Sequence, residues 1–409
     1  MTKRNILISI ASLFVLAALL YQVPAINSRV AWRLEVAKTY AKNLINPVGD
    51  VPTAIPNPTK TQSASTPVVT LTPTPNVTPI PPTATMPPLP VQALLTSPPY
   101  EKQTPNNCGP AALSMMLHIF GWNGTQKDIS DVIKPIIGDR NVNPEELAYW
   151  VRNYAGWLRI EYRVGGDLET LKRLLAAGYP IIVESTTSLN PEDSGWLDDD
   201  LWAAHYLLIT GYDDSTQTFT AQDTYRGPDK KISYDQTVTE WKPFNYLYMI
   251  VYLPEQEEEM KGLLASNWDP DLNRHNSLDS SQAATVNSPT DAFAWFNLGS
   301  NLVYFERYDE ANAAYDKARE LSLPQRMFRY QFGPFIANFQ ANRNDDLLAL
   351  TDYALQRTEM SEETWLWHGW ALYRKGDGKG AVKDWRKALA IHPGYQDALY
   401  ALNFVGATP

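Results

Sequence analysis

Cys108 is the only cysteine among the 409 residues of this chain. A single cysteine excludes an intramolecular disulfide framework and any cysteine-cluster metal site, and its usual place is in a core as a small hydrophobe. The residues around it argue for chemistry instead. In Gln103-Thr-Pro-Asn-Asn-Cys108-Gly-Pro-Ala-Ala the cysteine opens a predicted helix over Gly109–Ile119. Unpaired N–H groups and the positive end of the helix dipole stabilise a thiolate there and lower the thiol pKa. Pro110 fits the first turn, where its missing N–H costs nothing, and Gly109 allows close backbone approach of whatever the sulfur attacks.

A thiol nucleophile needs a base, and the chain holds five histidines: His118, His205, His275, His368 and His392. The last three fall outside the region around Cys108. His118 lies ten residues on along the same helix, about 15 Å along its axis and too far to share a proton. His205 remains, at the head of the apolar strand Ala204-His205-Tyr-Leu-Leu-Ile-Thr-Gly211-Tyr-Asp; the competing reading is a histidine satisfied in a core. Its far nitrogen needs an orienting partner. Asp213-Asp-Ser-Thr reads as a turn and Phe219-Thr-Ala-Gln-Asp223 as the returning strand. If paired positions sum to an even number, such as 428 or 430, Asp223 falls opposite His205 or one diagonal away on the same face. An odd sum removes Asp223. Gln103 can offer an amide donor to a developing oxyanion beside the Cys108 N–H.

These side chains need a scaffold. Helical patterns cover Gly109–Ile119, Thr125–Ile133, Pro144–Tyr154 and Asp167–Ala177, the last closed by Gly178. Strand patterns follow at Pro180–Glu184, Tyr206–Tyr212, Thr218–Gln222 and Tyr246–Leu253. Helices first and an antiparallel sheet second is an α+β layout, expected over residues 96–254. Between them the loop Thr186–Ala203 carries Glu192, Asp193, Asp198, Asp199 and Asp200 with Trp196 and Trp202. It reads as an ordinary solvated loop; lining a cleft, favouring basic residues or binding calcium are the alternatives, although the spacing does not match an EF-hand.

The order Gln-x4-Cys-Gly-Pro, then Ala-His-Tyr-Leu-Leu-Ile-Thr-Gly-Tyr-Asp, then an aspartate on the following strand resembles the double-glycine-type peptidases. These are peptidase family C-39 in its stand-alone, C-39-like form, within the papain-like clan, and the likeness covers about residues 95–254. It implies a papain-like cysteine peptidase fold, a Cys108–His205–Asp223 triad and Gln103 completing the oxyanion hole, with no cofactor and no metal. Members of the family typically cut leader peptides after Gly-Gly from the cytoplasmic side of an exporter. This chain has no transporter or ATP-binding segment, and Thr224 stands where relatives often have proline, so the activity class carries over rather than the substrate.

The flanking segments set the context. Lys3 and Arg4 precede the apolar run Ile6–Leu20, so residues 1–28 read as an export segment. The preferred form is an uncleaved membrane anchor with its basic end inside, and the other is a signal peptide that leaves the protein secreted. Residues 29–50 place Val30, Leu34, Ala37, Tyr40, Ala41 and Leu44 at helical spacing, as a juxtamembrane amphipathic helix lying on lipid or serving as a stalk. Residues 51–95 are rich in Pro and Thr and read as a disordered, semi-rigid tether. After a connector over 255–290, residues 291–409 carry a repeat. Trp295, Gly299, Ala311, Tyr315 and Ala318 recur at the same offsets as Trp365, Gly369, Ala381, Trp385 and Ala388, a pattern that resembles the tetratricopeptide repeat. An all-α domain follows, with a groove for a peptide or protein partner. The formal charge of -10 and the lack of a basic stripe argue against nucleic acid.

The expected protein is an extracytoplasmic, membrane-tethered cysteine peptidase that hydrolyses peptide bonds, with repeats recruiting a protein substrate or partner. An acyl transferase using the same triad and a catalytically silent binding scaffold are the alternatives.

Overall fold

The computed structural model describes residues 24–47, 49–55 and 88–409, with the isolated residues Asn5 and Ser12. Apart from Ser12, the Ile6–Leu20 run lies outside the described residues, as does the Pro/Thr-rich stretch 56–87. Among the described residues no helix is long and apolar enough to cross a membrane.

The Cys108–Ile119, Gln126–Ile133 and Pro144–Tyr154 helices come first in the α+β domain. Two of them begin as their sequences dictate. Thr125 with Asp128, and Asn143 with Glu146 ahead of Pro144, form capping boxes that satisfy the first N–H groups of the turn. The sheet contains β1 (Gln92–Leu94), β2 (Arg159–Arg163), β3 (Ile181–Ser188), β4 (Trp202–Asp213), β5 (Thr218–Asp223), β6 (Gly227–Ser233) and β7 (Tyr248–Tyr252). Its order is β2-β7-β3-β4-β5-β6, with β1 also on β4, and every pairing is antiparallel.

Strand alternation splits the core into two layers. Ile182, Leu208, Met249 and Val251 face the three helices just named. Val183, Leu207, Ile209, Phe219 and Ile250 face the Leu168–Ala176, Tyr234–Trp241 and Glu257–Leu264 helices. Both sheet faces are thus covered, which is why the central strands read as nearly continuous apolar runs. β3 and β4 are longer than their apolar stretches suggest, so His205 sits within β4, paired with Ser185, and not at its head. β6 is an edge strand whose polar residues show no alternation, and its lysines shield an otherwise open edge.

The register of the β4–β5 hairpin changes along its length. Near the turn the paired positions are Tyr212↔Phe219 and Asp213↔Thr218, an odd sum that would turn Asp223 away from His205. A bulge between Ile209 and Gly211 resets the pairing to Leu207↔Asp223, Leu208↔Gln222 and Ile209↔Ala221. The sum there is even, and Asp223 lies one diagonal from His205 on the same face. At the bulge β1 comes so close that a Cβ on Gly211 would stand 2.7 Å from the Ala93 carbonyl oxygen, and the Thr210 carbonyl accepts from Leu95 N–H.

Residues 255–290, read as a connector, are largely helical and tie the two domains together. Met260 and Leu264 belong to the core of the α+β domain and Leu278 to the repeat core. Helix pairs follow at Ala292–Tyr304 with Tyr308–Glu320, Gly333–Gln340 with Asn344–Arg357, and Glu362–Arg374 with Gly378–Ile391, then a last helix Gln396–Phe404. The repeated glycine is a packing requirement: a Cβ would stand 2.6 Å from the Tyr315 ring at Gly299 and 2.5 Å from the Trp385 ring at Gly369.

Three expectations change. The Pro24–Ile45 helix is neither an isolated stalk nor laid out on its own: Lys38 and Lys42 reach Glu359 at 3.7 and 3.6 Å, and Trp32 packs under Arg140. Residues 51–55, assigned to the tether, are docked as well, with Val51 against the repeat core, the Pro52 carbonyl accepting from Arg319 and Ile55 N–H donating to Asp346. The acidic loop is solvated only in part, at Glu192, Asp198 and Asp200. Asp199 is buried in ion pairs with Arg326 and Arg357, Asp200 accepts from Gln325 N–H at 2.7 Å, and Trp202 stacks on Phe244 and meets Tyr330. Asp199 and Asp200 join the two domains, and their partners lie more than a hundred residues away in sequence.

Candidate active site

Cys108 is the first residue of its helix, and Asn107 before it leaves the helix end uncapped. The Asn107 amide is spent on Thr104 Oγ1 at 2.9 Å, so the N–H groups of the first turn stay open toward the sulfur. The loop leading to Cys108 is held from below. Gln126 Oε1 accepts from Thr104 N and Oγ1 at 2.7 and 3.0 Å. Lys134, buried, donates to the carbonyls of Asn106 and Asp139 at 2.8 and 2.7 Å. Asn106 itself adopts φ 62°, a left-handed conformation that asparagine tolerates. Gly109 faces the Tyr206 ring and Val142 at 3.2–3.3 Å from an added Cβ; it lets the helix start seat against β4, and does not border the attacked group as its sequence position suggested.

The structure brings Cys108, His205, Asp223 and Gln103 together. His205 Nε2 lies 2.9 Å from Asp223 Oδ1, which leaves Nδ1 for the Cys108 sulfur, to which the ring is hydrogen-bonded. His205 and Asp223 are each only 3% exposed, so their interaction is weakly screened. Asp223 Oδ1 also accepts from the N–H groups of Tyr225 and Arg226 at 2.9 Å. Burial works against its ionisation, but His205 and these N–H groups hold the carboxyl below its ordinary range.

The same opposition sets the other two groups. Burial alone would push the Cys108 thiol up; the hydrogen bond and charge of His205, the Tyr206 N–H and the Lys134 charge outweigh it and hold the thiol below its ordinary value. Burial alone would lower His205; Asp223 and Cys108 instead raise it to about 9. Both shifts act in the direction of a thiolate–imidazolium pair.

Gln103 is fixed at both ends of its amide-bearing segment. Its N–H donates to the Thr224 carbonyl at 3.0 Å, and the Thr224 hydroxyl donates to Gln103 Oε1 at 2.7 Å. The side-chain NH2 is the end left for the cavity that Gln103 lines. Thr224, Lys134 and Gln126 were not identified from sequence. Thr224 carried one signal, its position directly after Asp223; the other two are polar residues of an amphipathic helix and carried none.

The remaining histidines lie elsewhere. His118 meets the Gly124 carbonyl and stacks on Trp122. His275 stacks on Phe305, and His368 and His392 pair with Asp384 and Glu362 in the repeats.

A cavity of about 570 Å3 opens on Cys108 and His205. It is lined from three parts of the chain: Trp32 from the N-terminal helix, Glu184, Val142 and Tyr206 from the α+β domain, and Arg329 and Tyr330 from the repeats. None of the acidic side chains of the 186–203 loop is among its lining residues.

Residues 95–249 match the model of the Peptidase C-39 like family. No curated protein sequence matches the chain. Among solved structures, a C-39-like peptidase from Bacillus anthracis is 16% identical, with a TM-score of 0.31, over 39% of this chain and 97% of that one. MamA is 14% identical, with a TM-score of 0.29, over 38% of this chain and 86% of its own. YrrB, a TPR protein with an unusual peptide-binding site, is 17% identical, with a TM-score of 0.20, over 36% of this chain and 96% of its own. The segment 95–249, which contains Cys108, His205 and Asp223, matches the peptidase C-39-like family, and it is followed by an all-α region of helix pairs.

Proposed function

We propose that this protein is an extracytoplasmic cysteine peptidase, tethered to a membrane by its N-terminal segment, that hydrolyses peptide bonds through Cys108, His205 and Asp223. The observation that carries the reading is the bridge made by His205, bonded to Asp223 through Nε2 and to the Cys108 sulfur on its other side. The thiolate attacks the peptide carbonyl carbon. The oxyanion is met by the Gln103 amide and by N–H groups at the open helix end. His205 passes its proton to the leaving nitrogen, and a thioester remains on Cys108. Water then gives a proton to His205 and attacks the thioester carbonyl, and the carboxylic acid and the thiolate are released.

The tether rests on Lys3 and Arg4 ahead of the Ile6–Leu20 run. The repeats recruit a protein substrate or partner through surface that the chain's own residues 24–55 do not cover.

Because Cys108 is the sole cysteine, labelling by a thiol-directed electrophile reports on it alone. The expected result is selective modification at neutral pH that is lost in His205→Ala, and a set of peptides cut by wild type but not by Cys108→Ala. A thiol inert in the folded chain would sink the enzyme reading and leave a binding scaffold. Incorporation of an added amine into the products would redirect it to acyl transfer.

A further inference from the structure

We infer that the Cys108 cavity selects peptides bearing a carboxylate, which Arg140 and Arg329 receive. What happens to such a peptide rests on the proposed peptidase activity; the binding does not.

Among the described residues the other buried arginines lie against carboxylates. Arg319 pairs with Asp346 at 2.7 Å and Arg343 with Asp316 at 2.8 Å. Arg326 and Arg357 share Asp199, and Arg163 meets Glu161 at 2.9 Å. Arg140 and Arg329, both lining the cavity, have no carboxylate in ion-pair contact among the described residues. Arg140 lies over the Trp32 ring, 5.1 Å from its centroid, and feels Glu35 only through its field. Arg329 is 4% exposed. Its Nε donates to Thr358 Oγ1 at 2.6 Å, its Nη1 to Tyr330 Oη at 3.5 Å, and its buried Nη2 has no hydrogen-bond partner.

The one acidic side chain lining the cavity does not balance them. Burial, Glu145 and the charge of Cys108 push the Glu184 carboxyl well above its ordinary range, which favours its neutral form. Arg140 is lowered to about 10 by burial and then by the charge of Arg329; it stays a cation, but one repelled by its neighbour. Two unpaired guanidiniums in a concave site are costly until an anion enters. The planar fork of each matches a carboxylate. That carboxylate can be an Asp or Glu side chain of the substrate or its C-terminus, and the chemistry is the same. Since Arg329 comes from the repeats, the selection also requires the docked domain.

The test uses the purified full chain and the lone thiol as reporter. Cys108 is alkylated with iodoacetate, an anion, or with neutral iodoacetamide, and the rates are read by intact mass. Wild type should favour iodoacetate over the ratio seen for a free thiol. Arg140→Gln should cut that preference about tenfold, the scale of one charge-assisted hydrogen bond, and Arg329→Lys should retain most of it. Protection from iodoacetamide is then compared for three alanine-based pentapeptides. One has a central glutamate and blocked ends, one a central glutamine and blocked ends, and one a central glutamine and a free C-terminus.

Stronger protection by the first peptide assigns the site to acidic side chains, and by the third to a terminal carboxylate. Equal protection by all three, or an iodoacetate preference unchanged in a folded Arg140→Gln chain, overturns the inference. A chain that shows the charge preference yet cuts no peptide refutes the peptidase reading alone. A chain that cuts peptides without the preference refutes the selectivity alone.

Discussion

Thr224→Val tests how Gln103 is held. Thr224 is fully buried, and its hydroxyl donates to Gln103 Oε1 at 2.7 Å. Valine keeps the shape and removes the donor. A neutral hydrogen bond of this kind contributes about 1 kcal/mol, or about a fivefold preference for the anchored amide. If the Gln103 NH2 serves the oxyanion, removing it altogether in Gln103→Ala should cost about 100-fold or more in kcat. Unfastening it should cost only about 3–10-fold, with KM little changed because the interaction is made in the transition state. Thr224→Ser should restore the loss. The assay is steady-state cleavage of a peptide that wild type cuts, run beside the rate of Cys108 alkylation by iodoacetamide. Alkylation forms no oxyanion, so its rate should not move in any of these variants. A Thr224→Val chain with wild-type kcat would refute the anchoring argument. A parallel fall in alkylation would show that the substitution disturbs the thiolate instead.

Three further outcomes follow from the titrating groups. Alkylation of Cys108 should hold a plateau from neutral pH up to about 9, where His205 loses its proton. In His205→Ala the effect of burial on the thiol is no longer opposed by the ring, and labelling should rise only in alkaline solution. Because the folded pKa of His205 is raised, the stability its imidazolium adds is complete below its ordinary value of 6.5 and fades as pH rises through about 9; the gap in Tm between wild type and His205→Ala should narrow over that window. Glu363 accepts from Asn141 and Asn143 at the domain boundary. Burial and then Glu362 and Asp139 hold its carboxyl well above its ordinary 4.5. The sign is the same: its favourable contribution is present below 4.5 and lost as pH rises. Glu363→Gln keeps one acceptor oxygen and removes the charge. It should leave Tm unchanged at pH 4 and raise it by a few degrees at pH 8, at roughly 2–4 °C per kcal/mol; a lower Tm at pH 8 would contradict the like-charge argument.

The helices around Cys108 were legible because their apolar period and caps are local. Thr125 with Asp128 and Asn143 with Glu146 announce their own helix starts. The repeats were legible because Gly299 and Gly369 keep a fixed offset to the aromatic rings they make room for. Pairing of His205 with Asp223 was legible only as a conditional. The bulge at Thr210 decides the parity, and it depends on β1, more than a hundred residues earlier in the chain. The fate of Asp199 was illegible for the same reason. A carboxylate in a run of acids reads as solvated until Arg326 and Arg357 are known to lie against it. Lys134 shows the limit from the other direction, since a lysine ending an amphipathic helix is ordinarily exposed and here is 4% exposed beneath the Cys108 loop.

The groups that set the charge of the thiol come from one part of the chain, and those that line the cavity come from three. His205, Tyr206, Asp223 and Lys134, which act on the thiol directly or through His205, all belong to the C-39-like segment. The cavity wall takes Trp32 from the N-terminal helix and Arg329 and Tyr330 from the repeats. Reactivity of the thiol is therefore a property of one domain, and selection of what reaches it is a property of the docked whole. That docking rests on buried contacts that are costly to break singly: Arg326 left without Asp199 is a buried charge without a counter-ion. Loosening the repeats should thus leave Cys108 able to react with a small electrophile while removing the Arg329 and Tyr330 side of the wall that a peptide must meet. The division of labour predicts that substitutions at the domain boundary alter which peptides are cut before they alter whether the thiol reacts.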